Sequence, residues 1–431
     1  MKQFKESGKL SENEVSRICF ILGHLYNNRG YIYWMYLGQY WLAIEEFQNA
    51  IRYFELGNLV EEIANSQDNT GRVYTMLGVD YSAFEAINEG LRLRTSQNLG
   101  FRQGLSKNSL ALAFVRFDNF PQALEEAKEA LQIFRSFRND RGIALARFTH
   151  ASALRAKCEQ WRDLHLTLDE CIQSLEEAES DLLDALEIFT YTAKEPIRQV
   201  EASNELACYY RTLYMLHREQ KNPASMKTAF GRGLTYFDLA IATARDSKFT
   251  VDMLDSQQDR AVLYTRAGEY DKAKEDLFTV RTQIPINHRL QAEVGPLQLD
   301  DKARVDAYYK LMGQVEFLVG TVVFNEASER SGAQPGEDIV RKMLEHYVLA
   351  IAYYNLFSGG SFTHRQTNHR IYARLRGYPR EFLIDLRDNQ IGQMLAKYKL
   401  PPELVQEQFK EVFGLLIPGS RMMHWEKFSR P

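Results

Sequence analysis

"LGQYWLAIEEFQNAI", Leu37 to Ile51, sets the small residue Ala43 between the aromatic residues Tyr40 and Phe47, and brings a second small residue, Ala50, one turn later. Advancing by 40 positions takes Ala43 to Ala83 and Ala123, and Phe47 to Ile87 and Ala127. The same step takes Ala50 to Gly90 and Ala130, and Ile51 to Leu91 and Leu131. The preceding segment keeps the period, with Tyr74, Phe114 and Leu154 in one row and Gly71, Ala111 and Ala151 in another. Small stays small and apolar stays apolar, which is the signature of a stacked structural repeat.

Within one period the apolar residues Tyr40, Ile44, Phe47, Ile51 and Phe54 recur at helical spacing, and a break separates two such runs. Each unit therefore reads as a helical hairpin. The small residues belong where its two helices cross, because Ala or Gly there lets the axes approach while an aromatic of the partner helix fills the adjoining hole.

Gly38-Gln39-Tyr40 with Ala43, Phe47 and Ala50 resembles the turn and second-helix signature of the tetratricopeptide repeat, as does Gly268-Glu269-Tyr270 with Ala273. Elsewhere Asp80 and Phe120 replace the turn tyrosine and Trp161 comes one residue late. The period of 40 and linkers such as "NLGFRQGLS" and "FRNDRGIALA" look like the MalT-like subgroup that forms sensor arms of STAND signalling ATPases. The resemblance covers residues 13 to 357 and implies an all-α, right-handed α-solenoid closed by a C-terminal helical cap.

The expected hairpins lie at 13–56, 59–97, 101–137, 141–193, 196–246, 250–284 and 302–357. "ALQIF" at Ala130 returns as "ALEIF" at Ala185, 55 residues on, so about 15 residues are inserted and a long second helix is expected near 163–193. Pro and Gly break the pattern at Ile284 to Gln298 and at Ser331 to Asp338. From 358 to 431 the repeat is lost; "NQIGQMLAKYKLPPELVQEQF" reads as two short helices about a Pro turn, a cap for the last stacking face.

The composition, 45% hydrophobic and 26% charged with 11 prolines, describes a folded chain with little disorder, and a net charge of −4 gives no overall bias to nucleic acid. Cys19, Cys158, Cys171 and Cys208 show no paired spacing, so buried thiols in a reducing compartment are expected. The polar start and the lack of a long apolar stretch suggest a cytoplasmic protein with no membrane contact.

No phosphate loop, HExxH, GxSxG or dinucleotide fingerprint occurs, the cysteines fall within helical patterns, and His364 and His369 are spaced five apart, off one helical face. The expectation is a non-enzyme without cofactor or metal. Binding residues belong instead on the first helices, which line the concave side of such an array. Counting from Tyr40 puts Leu25, Asn28, Ile32 and Met35 there, followed 40 residues on by Asp68, Arg72 and Thr75 and then by Asn108. Asn28, Asp68 and Asn108, continued by Thr149 and Gln258, form a polar row able to grip an extended peptide or protein segment. A second candidate is the run Ser361 to Arg380, with Arg365, Arg370, Arg374, Arg376 and Arg380 and no acidic residue, which suits phosphates or an acidic partner and makes nucleic acid the alternative reading.

Overall fold

The computed structural model describes residues 11–284, 306–358 and 365–418, without the side chains of Ser358, Arg365 and Gln366. His364 and most of the Pro/Gly break after Ile284 lie outside the described residues. Those described form helices joined by turns, with no strand among them. The first three hairpins are α1 (Glu12–Met35) with α2 (Tyr40–Leu56), α3 (Val60–Leu77) with α4 (Asp80–Ser96), and α5 (Gly100–Arg116) with α6 (Phe120–Ser136). They are followed by α7 (Asp140–Glu159) with α8 (Leu168–Glu187), α9 (Pro196–Glu219) with α10 (Pro223–Asp246), and α11 (Thr250–Ala267) with α12 (Tyr270–Gln283). From α1 to α10 consecutive helices pack on one another, and first helices also touch first helices of the next hairpin, as α3 does α5 and α5 does α7. The architecture is an all-α solenoid.

The 40-residue period is enforced by backbone punctuation. Gly38, Gly78 and Asp118 take positive φ in the turn inside each hairpin, and Asn58, Asn98 and Arg138 take it after each second helix. A left-handed residue there ends the helix and turns the next amide back on a free carbonyl. The amides of Leu59, Leu99 and Asn139 donate to the carbonyls of Phe54, Arg94 and Phe134 at 2.9–3.0 Å. The insertion lengthens α7 to 20 residues, widens the turn at 160–167, and carries α8, started by a Thr167–Glu170 capping box, through a π turn to Thr192.

The chain divides into two compact units, 1–256 and 257–431, with the division inside α11. Unit 2 contains α13 (Asp306–Ser331) and α14 (Glu337–Ser358), then α15 (Arg365–Leu375), α16 (Arg380–Asp385), α17 (Ile391–Tyr398) and α18 (Gln406–Leu416). The short helices are tied to α14 and the turn before it. Asn355 donates to the carbonyl of Leu404 at 2.6 Å and Tyr378 to that of Pro335 at 2.7 Å, while Phe409, Val412 and Phe413 are buried. No described helix is long and apolar enough to cross a membrane.

Candidate functional site

The expected polar row is shifted by one residue in the first hairpin. Gly30 in α1 and Gly71 in α3 hold equivalent crossings, since a Cβ on either would press the backbone oxygen of Ala43 or of Ala83, at 3.1 and 2.9 Å. Those glycines are 41 apart while the alanines are 40 apart, because Tyr36–Gln39 joins α1 to α2 where only Gly78 and Val79 join α3 to α4. Asn27, and not Asn28, is the counterpart of Asp68. Asn28 is exposed, as are Leu25 and Ile32, whereas Asn27 is buried and accepts from Ser66 Oγ and Asn69 Nδ2 at 3.1 and 3.2 Å.

Nor does Asp68 face a ligand. It is 4% exposed, bound by the buried Arg94 guanidinium and by Ser106 Oγ at 3.0 Å, so the row runs between packed helices at this point. Burial pushes its carboxyl up to about 6, against the attraction of Arg94. Arg94 occupies the position that Phe54 and Phe134 hold 40 residues to either side, and Gly90 is glycine where its counterparts are alanine because a Cβ would lie 2.6 Å from Asp68 Oδ1. Asn108 is buried, with an Oδ1 that has no hydrogen-bond partner among the described residues. Thr149 is buried and donates to the carbonyl of Leu145; Gln258, also buried, belongs to unit 2.

Arg72, also expected on the inner face, makes no hydrogen bond among the described residues. Its guanidinium carbon lies 4.8 Å from the centroid of the Trp34 ring, and the side chain is half-buried. Trp34 is held in turn by its N–H, 2.9 Å from Met76 Sδ, and by an edge contact with Tyr31, ring centroids 5.8 Å apart. Arg72 feels Tyr31 and also Arg198 and Glu201 of α9, three hairpins further on, and burial together with the Arg198 charge lowers its pKa to about 10. At the end of α1, Tyr36 meets Phe249, ahead of α11, with centroids 5.9 Å apart. Unit 1 thus turns back on itself, bringing the end of α1 against the segment before α11.

Trp34 and Arg198 were not legible as site residues. Aligning Gly30 with Gly71 would have put Trp34 opposite Thr75 and drawn attention to it. Nothing in the sequence pairs Arg198 with Arg72, since their approach depends on how far the array turns.

In unit 2, Arg370 lies over Phe317 at 5.9 Å, and Arg374 over Phe324 and Tyr347 at 5.7 and 5.9 Å. Neither forms an ion pair with an acidic group among the described residues, and Arg376 and Arg380 are exposed. The side chain of Arg365 lies outside the described residues. Cys19, Cys158, Cys171 and Cys208 are buried, and no disulfide joins any two of them. The described residues hold no group of three or more His, Cys, Asp or Glu arranged for a metal.

No family model matches the chain, and no curated protein matches it. Among solved structures it is similar to the apo form of RapI, at 14% identity and a TM-score of 0.46, over 78% of this chain and 99% of that one. It is similar also to a circular tandem repeat protein with novel repeat topology and enhanced subunit contact surfaces, at 12% identity and a TM-score of 0.26, over 94% and 97% of the two chains. At such scores the fold rests on the helices and their packing, described above.

Proposed function

We propose that this chain is a non-enzymatic helical-repeat scaffold or sensor that takes a peptide, or an extended segment of a partner protein, on the inner surface of unit 1. The observation that carries the reading is the return of the array onto itself, which leaves Arg72 over Trp34, beside Tyr31, within electrostatic reach of Arg198 of the fifth hairpin. A ligand held there would touch helices far apart in sequence, so its binding would favour one curvature of the array over others. Such a device suits a cytoplasmic regulator resembling the sensor arms of STAND ATPases, with the effector supplied elsewhere.

The test is affinity selection from a random heptapeptide pool, with retained peptides identified by mass spectrometry. The expected result is a small set held by the native chain and released by Tyr31→Ala. Retention of nothing, or of the same set by Tyr31→Ala and Arg72→Gln alike, would overturn the reading.

A second reading, a nucleic-acid-binding surface, is favoured by Arg370 and Arg374, which lie on aromatic rings without acidic partners among the described residues, beside the exposed Arg376 and Arg380. It requires binding to single-stranded nucleic acid that weakens steeply with salt. Arg376→Glu with Arg380→Glu is the appropriate variant, since both side chains are exposed.

A further inference from the structure

We propose that Arg72 and Arg198, beside Trp34 on the inner side of unit 1, form a receptor for one anionic group of the ligand, a carboxylate or a phosphate. The proposal rests on the groove reading above and names the chemistry of the group that the groove recognises.

The charges around Arg72 can be followed pair by pair. Asp68 is taken by Arg94, whose side chain is almost wholly buried. Glu201 is taken by Arg198, with Nη1 and Oε2 2.5 Å apart. Arg72 is left with an indole beneath it and no hydrogen bond to a carboxylate among the described residues. Among the described residues, one positive charge therefore stands without a bonded counter-charge in a half-buried place, within electrostatic reach of Arg198, itself buried and paired with Glu201.

Such an arrangement is costly while the inner face is empty, because burial and a like charge both disfavour the cation. Burial and Arg198 indeed lower the pKa of Arg72, to about 10, which leaves it charged at neutral pH. The attraction of an incoming oxyanion offsets both penalties. The guanidinium is planar, so stacking on Trp34 engages one face and leaves its N–H groups free at the edge, where a carboxylate or phosphate is taken by two parallel hydrogen bonds. The platform is already built: the Trp34 N–H is fixed on Met76 Sδ, and Trp34 is 5% exposed. Arg72 belongs to α3 and Arg198 to α9, so an anion shared between them would link the second hairpin to the fifth and tie ligand charge to the curvature of unit 1.

The experiment follows the side-chain Nε–H resonances of arginine-labelled full-length protein. The probes are inorganic phosphate, a random pentapeptide pool without Asp or Glu that ends in a free carboxylate, and the same pool C-terminally amidated. Saturable shifts of the Arg72 and Arg198 signals with phosphate or with the free-acid pool, and affinity about ten- to a hundredfold weaker for the amidated pool and for Arg72→Gln, are expected. A response to phosphate alone identifies a phosphate receptor, and a response to the free-acid pool alone a carboxylate receptor. If both peptide pools bind equally well and phosphate leaves the two signals unmoved, the anion site is overturned while the groove reading stands. If phosphate shifts the signals and no peptide binds, the groove reading fails and the anion site stands. If nothing shifts either signal, both are overturned. Because the native chain is read directly, instability of the Arg72→Gln variant would not obscure the outcome.

Discussion

At the scale of single residues, the buried pair of Asp68 and Arg94 is where this array departs furthest from its own pattern. Phe54 and Phe134 fill the same position in the neighbouring hairpins with apolar rings, and Arg94 fills it with a charge. Asp68→Asn would leave that guanidinium buried without its counter-charge, with only neutral acceptors (the new amide oxygen, Ser106 Oγ and the carbonyl of Arg102), and should cost about 3–5 kcal/mol. Arg94→Met leaves a carboxyl that can take up a proton, so its cost depends on pH. The folded-state pKa of Asp68, about 6, lies above its ordinary 3.8. Its protonation therefore contributes stability that is fully present below the ordinary value and is lost as pH rises through the folded one. Removing Arg94 takes away the attraction that restrains this pKa, so urea midpoints should show Arg94→Met more destabilised at about pH 8 than at about pH 5. An equal loss at both would mean that the carboxyl is not protonated in the folded chain. The residue scale is also where sequence reading served least: the charge of Asp68 was visible, but whether it met a ligand or Arg94 depended on a contact across 26 positions.

At the scale of helices, small residues and left-handed caps can be read because they recur, and recurrence shows without knowledge of the packing. What does not recur is lost. The longer α1–α2 connection displaced the first-hairpin register by one, and the insertion in the fourth hairpin was spread over α7, its turn and α8. The crossing itself makes a prediction with two signs. A Cβ at Gly71 would meet the Ala83 oxygen at 2.9 Å and the Ile87 nitrogen at 3.1 Å, both backbone atoms of α4 that no rotamer change can move. Gly71→Ala should therefore force α3 and α4 apart and cost about 1–3 kcal/mol. At Gly231, in α10, an added methyl group would meet nothing within 4 Å, so Gly231→Ala should stabilise by up to about 1 kcal/mol through helix propensity alone. Thermal midpoints moving in the same direction for both would show that the crossing at Gly71 is looser than the structure has it.

At the scale of the whole molecule, the fold class follows from a period and the site does not, because Arg72 comes under the charge of Arg198 only through the accumulated turn of several hairpins, and no spacing encodes a sum of small rotations. The same nearest-neighbour construction governs how damage spreads. In an array each hairpin is stabilised by itself and by its two neighbours, so a defect should fade along the chain. The return contact of Tyr36 with Phe249 works against this by joining the two ends of unit 1. A single aromatic pair is worth about 0.5–1.5 kcal/mol, less than a buried interface between hairpins, so the gradient should prevail. In the Asp68→Asn chain, native-state hydrogen exchange should therefore quicken most in α3 to α6, less in α1, α2 and α7, and not at all in α13 and α14. Should α1, α9 and α10 lose protection together with α3, the closing contact outweighs the array, and unit 1 opens as one cooperative body; a ligand bridging Arg72 and Arg198 would then act on all of unit 1 at once and not on its curvature.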